Sequence, residues 1–487
     1  MDQHKRFRDL REFLALVEAA GELKTLEGIG WDKEMGAITE MVYREKPVDS
    51  PALLFKKIPG YPDDYRCLYG MLASARRFGL AMGIDSGAKE VARMELLGTY
   101  RAKMKQMQPI APRVVTSGPV LENRIEGDAV DMLKFPVPIH HELDGGRNIG
   151  TACGVITRDP EENWVNVGTY RVQVMDRNIA LSYISQGKQG RIQRDKYLQA
   201  GKACPIAVVV GIDPLLYLAA RYQVPLKVSE FDYAGGLAGE PVEVIEGPFT
   251  GLPIPAHAEI VLEGDVLPDN EALEGPFGEW TGYYAGAAQS EPVIKIHRIY
   301  HRNNPILTCA ASQRPPHSHL FERCFIRASG LWDKLDKTDC PDIKGVWVHE
   351  AGSGRTFNVI SIRQRYYGHS RQAALLASQL PPAGYVNRFT VVVDEDIDPS
   401  NLYDVIWAMG TRCNPEDDLD ILRKNWSSRL DPMAFTDRLY NSRVIIDACI
   451  PFEHRDGFPK VAQTSPAYKK TMMEKYGDLI REIVGRP

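Results

Sequence analysis

The strongest constraint on the fold is a change of texture in the middle of the chain. From about residue 110 to residue 312, prolines and β-branched residues become dense, and short runs of alternating apolar and polar residues follow one another between turn signals. A period of two is typical of strands that bury one face, and many short strands in succession favour a barrel-like β domain. The predicted strands of this region are residues 154–157, 164–167, 170–175, 180–184, 205–210, 241–246, 258–263, 293–300 and 305–311.

Both flanks of this region have helical spacing instead. Apolar residues recur every three or four positions in residues 7–22 and 32–45, and a short strand is predicted at residues 51–55. An amphipathic linker helix is predicted at residues 320–335, and strands and helices alternate beyond it, which is typical of a separate α/β domain. The predicted elements there are strands 346–349, 356–363, 389–393 and 443–448 and helices 369–380, 401–412 and 467–485. The predicted division is an N-terminal α/β segment (1–112), a β domain (113–315), a linker helix (316–338) and a C-terminal α/β domain (339–487).

Composition argues against several classes of function. The chain has 487 residues, of which 44% are hydrophobic and 25% charged, as in ordinary globular proteins. Its net charge of −5 argues against nucleic acid as the main partner, because phosphate neutralisation needs a basic face. No apolar run approaches the roughly 20 residues that a membrane span needs, and no signal-peptide core follows the charged N-terminus, so we expect a cytoplasmic protein without a membrane partner. The eight cysteines form no C-x-x-C pair, which predicts reduced, buried thiols.

The sequence also lacks the common phosphate-binding and nucleophile motifs. No complete G-x-G-x-x-G follows a predicted strand, and neither a G-x-x-x-x-G-K-[ST] loop nor a G-x-S-x-G elbow occurs. Classical dinucleotide-binding, P-loop and serine-hydrolase sites are therefore unsupported.

One stretch, E-G-P-F-G-E-W-T-G-Y-Y at 274–284, places two carboxylates five positions apart. The two glycines and the proline between them disfavour a regular helix or strand. Glu274 and Glu279 are therefore expected on a stiff loop beside aromatic rings, an arrangement suited to placing protons. The alternative is a surface turn with two solvated glutamates.

A second stretch, N-V-G-T-Y-R at 166–171, places an arginine in an apolar strand. With a period of two, Arg171 shares a face with Thr169 and Gln173. An arginine on the inner face of a barrel is costly unless it is paired, so Arg171 either faces solvent or binds a glutamate and an anionic ligand.

Taken together in their order, these and several weaker motifs resemble the UbiD family of decarboxylases over nearly the whole chain. The resemblance implies a multidomain α+β fold, in which a split β-barrel domain binds a flavin and the C-terminal α/β domain closes over it and builds a homodimer or homohexamer. The remaining motifs are G-K-Q-G-R at 187–191, S-E-F-D-Y-A-G at 229–235, R-P-P at 314–316, Y-G-H at 367–369, D-V-I-W-A at 404–408 and I-D-A at 446–448.

The family resemblance also implies a reaction. UbiD enzymes decarboxylate aromatic or heteroaromatic acids reversibly and without net oxidation, through a covalent adduct with prenylated FMN. Their catalytic arginine and two glutamates match Arg171, Glu274 and Glu279. In that pattern Arg171 clamps the substrate carboxylate and pairs with Glu274, and Glu279 donates the proton that replaces carbon dioxide.

The cofactor is held in the family through a divalent metal, usually Mn²⁺ (here Mn²⁺ or Mg²⁺), and K⁺. Metal ligands match Asn166 and Glu230, but the third ligand, often a histidine, is Gln189 here. A glutamine oxygen suits a hard cation, and the alternative is that Gln189 only fills space. The resemblance also makes a flavin prenyltransferase the expected supplier of the cofactor. The cofactor-binding residues that we predict are Asn166, Thr169, Arg171, Gln173, Lys188, Gln189, Glu230 and Arg371.

The substrate is less constrained. The loop R-P-P-H-S-H at 314–319 offers His317 and His319 as hydrogen-bond partners for a ring substituent such as a phenol, or else it is a stiff surface turn with exposed histidines. Two other functions stay open. The same site could carboxylate a phenolic or heteroaromatic compound in reverse, or the chain could be a non-catalytic flavin-binding subunit of a larger complex.

Overall fold

The computed structural model describes residues 7–84, 91–222, 224, 228–381, 383–434 and 439–483. Across these ranges the chain forms sheets of four, nine, three and five strands. No helix in the described ranges is both long and apolar enough to cross a bilayer. All eight cysteines are free and seven are buried, which confirms the expectation of buried, unbridged thiols.

The N-terminal segment is an α/β unit, as predicted. Strand β1 pairs in parallel with β2, and β2 pairs antiparallel with β3. Phe13 and Val17 of α1 pack with Phe78 of α3 in its hydrophobic core. Ser74 caps α3 by accepting a 3.1 Å hydrogen bond from the Arg77 amide, which satisfies a donor that the helix leaves unpaired. The elements are α1 (Leu10–Ala19), β1 (Leu23–Glu27), α2 (Glu34–Glu45), β2 (Ala52–Lys56), β3 (Arg66–Tyr69), α3 (Ala75–Met82) and α4 (Arg93–Gln106).

The central segment is dominated by strands. Its small sheet has the order β13–β12–β4, and its helices cover the larger sheet. The elements are β4 (Arg113–Val114), β5 (Asn123–Glu126), β6 (Asn148–Gly150), β7 (Cys153–Arg158), β8 (Val165–Gly168), β9 (Arg171–Asp176), β10 (Ile179–Tyr183), α5 (Gln189–Gln199), β11 (Cys204–Val210), α6 (Pro214–Arg221), α7 (Glu230–Ala238), β12 (Glu243–Glu246), β13 (Pro253–Pro255), β14 (Ile260–Glu274), β15 (Gln289–His301) and β16 (Ile306–Cys309).

The nine-stranded sheet has the order β6–β9–β10–β15–β14–β11–β7–β8, with β5 paired to β15. All of its pairings are antiparallel, and β6 at one end also packs near β11, so the sheet curls into an open barrel. The longest ladder joins β14 to β15 and runs from Ile260 opposite His301 to Glu274 opposite Gln289. The stretch 274–284, which we call the acidic loop, therefore begins the connection of this hairpin.

One predicted barrel strand belongs elsewhere. Residues 305–311 were assigned to the β domain, but β16 pairs in parallel with β3 and completes the N-terminal sheet in the order β1–β2–β3–β16. All four residues of β16 are buried. A strand that is apolar on both faces suits a parallel position covered on both sides better than the edge of a curled antiparallel sheet.

A linker helix and a mixed sheet complete the fold. The linker helix α8 contributes Leu331 and Leu335 to the core of the C-terminal domain. The sheet order is β17–β18–β19–β21–β20. Strand β20 was not predicted, because its sequence LDILRKNW carries three consecutive polar residues at an exposed sheet edge, where charges discourage further pairing. The elements are α8 (Phe321–Leu335), β17 (Ile343–Val348), β18 (Phe357–Ile362), α9 (His369–Gln379), β19 (Phe389–Asp394), α10 (Leu402–Arg412), β20 (Leu419–Trp426), β21 (Tyr440–Ala448) and α11 (Pro466–Ile483).

Candidate active site

Arg171 joins the two glutamates of the acidic loop. Its Nε and Nη2 donate to Glu274 Oε1 and Oε2 at 2.5 and 2.8 Å, and its Nη1 donates to Glu279 Oε1 at 3.0 Å. The first contact is a bidentate fork, which fixes the plane of the guanidinium, whereas the second is a single bond. Arg171, Glu274 and Glu279, which we call the trio, are therefore joined through Arg171. Glu274 is bound by two hydrogen bonds and Glu279 by one.

Strand order brings these residues together. Arg171 begins β9 opposite Tyr183 at the end of β10, and β10 pairs with β15. Glu274 ends β14, the next strand across β15. Arg171 and Glu274 thus lie at one end of the curled sheet although 103 positions separate them.

The trio is shielded from solvent. The Glu274 side chain is 2% exposed, and those of Arg171 and Glu279 are each 14% exposed. The guanidinium also lies 4.7 Å from the ring centre of Phe277 and 5.4 Å from that of Tyr183, within range of cation–π attraction. Burial alone would lower the pKa of Arg171, but its hydrogen bonds and charge interactions with Glu274, and then Glu279, outweigh burial and raise it. Arg171 is therefore a permanent cation.

Gln173 braces the start of the loop. Its Oε1 accepts from the Gly275 amide at 2.7 Å, and its Nε2 donates to the Gly145 carbonyl at 3.1 Å. The Gly145 amide in turn donates to the Pro276 carbonyl at 2.8 Å, and a Cβ on Gly145 would come within 2.0 Å of the Gly275 carbonyl oxygen. Gln173 thus shares a face with Arg171, as the period of two predicted, but both of its polar atoms are used within the protein. Its predicted contact with the cofactor stays a prediction.

Asp144 holds the far side of the loop and was missed by sequence reasoning. Its Oδ1 accepts from the Tyr284 hydroxyl at 3.1 Å and from the Gly278 amide at 3.4 Å. Its Oδ2 accepts from the amides of His140 and His141 at 3.2 and 3.0 Å. One carboxylate thereby ties the acidic loop to the segment before β6. No short motif surrounds Asp144, so only its spatial neighbours reveal the role.

Two of the predicted metal ligands, Asn166 and Glu230, lie near Tyr170, and the third, Gln189, is next in the chain to a residue that contacts it. Glu230 Oε2 accepts from the Val167 amide at 2.7 Å, which places the carboxylate beside Asn166. The Gly190 amide, next to Gln189, donates to the Tyr170 hydroxyl at 3.3 Å. Burial raises the pKa of the Tyr170 phenol, whereas the Asn166 side chain and the Gly190 amide lower it to a smaller extent and the Glu230 charge raises it slightly.

This donor set fits a hard divalent cation. Burial raises the pKa of Glu230 to about 7, and the described part of the chain offers its carboxylate no ion pair. The buried Nδ2 of Asn166 makes no well-formed hydrogen bond there and only acts on the nearby Tyr170 hydroxyl, so the amide can turn to present its oxygen at little cost. A carboxylate and two amide oxygens are ligands that Mn²⁺ or Mg²⁺ accepts. The described residues hold no group of three or more His, Cys, Asp or Glu arranged for a metal, so amides would have to complete the site.

The other predicted cofactor contacts divide into two groups. Lys188 immediately precedes α5 and lies near the candidate metal site, whereas Arg371 on α9 forms a bidentate pair with Asp420 at 2.6 Å on the surface of the C-terminal domain. Arg371 is therefore not brought to the trio by any described contact. Thr169 lies between β8 and β9 and makes no side-chain hydrogen bond in the described structure.

The two predicted pocket histidines are buried. His317 and His319 are 2% and 6% exposed, and their ring centres lie 4.1 Å apart. The interpretation as a surface turn with exposed histidines is therefore wrong. Burial lowers the pKa of both rings well below their usual range, so both are neutral near pH 7. Neutral imidazoles can donate and accept hydrogen bonds but supply no positive charge.

Family models match three parts of the chain. Residues 14–94 match the 3-octaprenyl-4-hydroxybenzoate carboxy-lyase N-terminal domain. Residues 113–315 match the Rift-related domain of the same enzyme family, and residues 323–448 match its C-terminal domain.

Relatives of known structure or activity are similar to this chain over most of its length. A pyrrole-2-carboxylic acid decarboxylase of Pseudomonas aeruginosa is 33% identical over 421 residues, covering 84% of this chain and 83% of its own. The open form of the vanillic acid decarboxylase of Sedimentibacter hydroxybenzoicus superposes with a TM-score of 0.84 at 28% identity, covering 98% and 99% of the two chains.

A third relative was solved with a flavin. The UbiD-class enzyme HmfF of Pelotomaculum thermopropionicum, in complex with FMN, has a TM-score of 0.85 at 28% identity and covers 96% of this chain and 100% of its own. An evolved dimeric form of it, in complex with prFMN, has a TM-score of 0.81. With the family models and the fold in agreement, the chain belongs to the UbiD family of carboxy-lyases.

Proposed function

We propose that this enzyme removes carbon dioxide from an aromatic or heteroaromatic carboxylic acid without net oxidation, using prenylated FMN as cofactor. The observation that carries the proposal is the contact of Arg171 with both Glu274 and Glu279. The relatives support it, since one is a pyrrole-2-carboxylic acid decarboxylase and another binds prFMN.

Arg171 and Glu274 form the substrate clamp in this proposal. The bidentate contact leaves Nη1 of Arg171 facing Glu279, so Nη1 is the nitrogen through which the cation can hold an incoming carboxylate. Glu274 keeps the guanidinium in one plane and balances its charge within a site that is nearly closed to solvent. Arg171 can then bind the carboxylate without reorganising.

Glu279 is the proposed proton donor. Its single 3.0 Å contact with Arg171 is weaker than the fork to Glu274, so a substrate carboxylate can displace it. Once displaced from Arg171, Glu279 can take up a proton from water and transfer it to the substrate carbon as carbon dioxide leaves. A second proton from water then restores the acid for the next turnover. Prenylated FMN, when bound, would supply the group that stabilises negative charge on the substrate carbon during this exchange.

Asn166, Gln189 and Glu230 would hold the flavin phosphate through Mn²⁺ or Mg²⁺, with K⁺ beside it. Support comes from the position of Asn166, Glu230 and the start of α5 beside Tyr170, and from the Glu230 carboxylate, for which the described residues provide no cation. Lys188 would contact the phosphate directly as a point charge.

The test uses protein co-produced with a flavin prenyltransferase. Replacing Glu279 by Gln should keep the flavin absorbance and the thermal stability but lower decarboxylation at least 100-fold. Glu271→Gln is the matched control, because Glu271 lies on β14, the strand that leads into the loop with Glu279, is exposed, and in the described structure accepts a side-chain hydrogen bond only from Ser290. Full activity in Glu279→Gln would contradict the proton-donor role. A protein that never binds a flavin would contradict the function as a whole.

The reverse reaction and a purely structural role stay as alternatives. The site would serve carboxylation equally, and product ratios at high bicarbonate would reveal the favoured direction. A non-catalytic flavin-binding subunit would not need the buried, fully paired trio, so the geometry favours catalysis.

We also propose that the enzyme is a homodimer or homohexamer assembled through its C-terminal domain. Tyr403, Ile406 and Trp407 of α10 are 85, 50 and 39% exposed, an unusual cost for a monomer in water. Sedimentation should give a mass that is a multiple of the chain mass, and Trp407→Lys should shift the distribution toward the monomer.

A further inference from the structure

A second group of cations lies beside the acidic loop. Arg323 and Arg327 occupy successive turns of α8, and Arg355 comes from the connection between β17 and β18 in the C-terminal domain. The Trp280 ring, next to Glu279 in the chain, has its centre 5.1 Å from the Arg355 guanidinium and 6.0 Å from that of Arg323. We call Arg323, Arg327 and Arg355 the arginine cluster.

In the part of the chain that the structure describes, the arginine cluster forms no ion pair. Among the described residues, none of the three side chains donates a hydrogen bond or forms an ion pair, and the buried Nη1 of Arg323 and Nε of Arg355 are without partners. By contrast, nearly every other cation that is shielded to this degree in the described chain has a carboxylate or carbonyl partner. Shielding guanidinium groups from water without a counter-charge lowers the stability of the folded protein. The arrangement therefore favours the binding of an anionic ligand, which would offset that cost.

The nearby acids are already occupied. Glu322 Oε1 lies 3.3 Å from Arg221, and Glu350 Oε1 lies 3.0 Å from Arg93. Glu279 is bonded to Arg171 at 3.0 Å, as described above. Of these acids only Glu322 still acts on the cluster, since its buried Oε2 has no hydrogen-bond partner among the described residues and its charge raises the pKa of Arg323. One carboxylate that is shared with Arg221 does not balance three guanidinium groups.

The three guanidinium groups act on one another. Burial lowers the pKa of Arg327, and Arg355 and Arg323 lower it further. Burial and then Arg221 lower the pKa of Arg323, while Glu322 partly opposes them. Because arginine stays protonated in proteins, the cluster concentrates positive charge between α8, the β17–β18 connection and Trp280.

We propose that the arginine cluster binds a second anionic substituent of the substrate, so that the preferred substrate is an aromatic or heteroaromatic diacid. This inference rests on the proposed decarboxylation and narrows its substrate class. Arg171 binds the carboxylate that leaves, and the cluster binds the one that stays. Planar guanidinium forks recognise carboxylates in a bidentate manner, and three of them can select the diacid over a monoacid of the same ring.

The position of the cluster favours the substrate over the flavin phosphate as the occupant. Trp280, whose ring lies against Arg355 and Arg323, follows Glu279 in the chain, and Glu279 is the residue nearest the reacting carbon in the proposed mechanism. The candidate phosphate ligands, in contrast, are gathered around Tyr170 and include Glu230, whose carboxylate would need a metal between it and a phosphate. Lys188, next to the candidate metal ligand Gln189, lies within range of the charges of all three arginines, so the flavin phosphate is the competing occupant that the test must distinguish.

The experiment compares matched acids on the flavin-loaded enzyme. The benzenedicarboxylates and pyrrole-2,5-dicarboxylate are each paired with benzoate and pyrrole-2-carboxylate. The wild type should favour one diacid over its monoacid by about 100-fold in kcat/KM, a ratio typical of a shielded charge pair. Arg323→Met and Arg327→Met should each lower kcat/KM for that diacid by roughly 10- to 100-fold and that for the monoacid by less than about threefold.

Three controls make the outcome decisive. Arg423→Met removes an exposed arginine on β20 and should change neither acid. Arg323→Lys and Arg327→Lys keep the charge, so they should retain more of the diacid preference than the methionine variants even if those fold poorly. Flavin content is read from the absorbance of every variant.

Two results would overturn the inference. If the methionine variants lose flavin and lose both acids equally, the cluster holds the cofactor phosphate. If the wild type shows no preference for any diacid, the cluster selects nothing on the substrate. The proposed function fails separately: if no acid is decarboxylated, calorimetric binding of the diacids to the same variants still tests the cluster.

Discussion

The buried carboxylate of Glu230 should make the stability of the metal-free protein depend on pH. Glu230 is 5% exposed, accepts one hydrogen bond of 2.7 Å from the Val167 amide and has no cationic partner in the described chain. Burial raises its pKa from 4.5 to about 7. This rise in pKa corresponds to a free-energy cost of ~3 kcal/mol for ionising Glu230 in the folded protein rather than in the unfolded chain.

The sign follows from linkage. Below the unfolded pKa of 4.5, Glu230 is protonated in both states and costs nothing. Above about pH 7 it is ionised in both states, and the folded state carries the whole cost of ~3 kcal/mol. The metal-free protein should therefore lose stability as pH rises from 4.5 to about 7.

Replacing Glu230 by Gln keeps the size of the side chain and removes the charge. At pH 8, without metal or flavin, Glu230→Gln should melt several degrees above the wild type, since ~1 kcal/mol corresponds to about 2–4 °C in a domain of this size. At pH 4.5 the two proteins should melt together. Added Mn²⁺ should raise the melting temperature of the wild type at pH 8 but not that of Glu230→Gln.

Thermal unfolding by circular dichroism, from pH 4.5 to 8.5 with chelator, measures these differences. Glu271→Gln, an exposed glutamate on β14, controls for the general effect of removing a carboxylate. Parallel pH profiles for wild type and Glu230→Gln would refute the reasoning, because the cost would then not come from this carboxylate.

Three further predictions concern the trio, the loop and the metal. Glu274→Gln removes the charge facing the buried Arg171 and should destabilise the protein by about 3 kcal/mol in denaturant titrations, far more than Glu279→Gln, whose partner contact is single. Asp144→Asn sets an NH₂ group against donors that now face a carboxylate, so kcat should fall about 10-fold through misplacement of the loop while the flavin content, read by absorbance, is unchanged. Gln189→Ala should weaken Mn²⁺ binding at least 10-fold in calorimetry if Gln189 is a ligand, and equal affinity would mean that it only fills space.

The features that the sequence predicted best are those set by residues close together in the chain. Alternation located β9 and the shared face of Arg171 and Gln173, because one face of a strand is set by a period of two. Glycine and proline marked the acidic loop for the same local reason. The pairing of Arg171 with Glu274 came from family resemblance, since no local rule joins residues 103 positions apart.

What sequence reasoning missed depends on distant segments. Asp144 meets Gly278 and Tyr284 across 134 and 140 positions, so nothing near it in the chain marks its role. The arginine cluster likewise combines α8 with the C-terminal domain and looks like ordinary surface charge when each part is read alone. Buried histidines in a proline-rich segment were ambiguous because local composition does not report what packs above them.

The strand β16 fixes the order in which the protein can be completed on the ribosome. Ile306 pairs with Arg66, so the N-terminal sheet lacks its last strand until about 240 more residues have been made. At 5–20 residues per second that delay is roughly 12–48 s, during which the outer edge of β3 has no neighbour on that side. A fragment that ends at the boundary between the first two family domains would keep this open edge permanently and invite edge-to-edge aggregation. Expression of the N-terminal part alone should therefore require residues 306–309 to be supplied, either in the same chain or as a separate peptide.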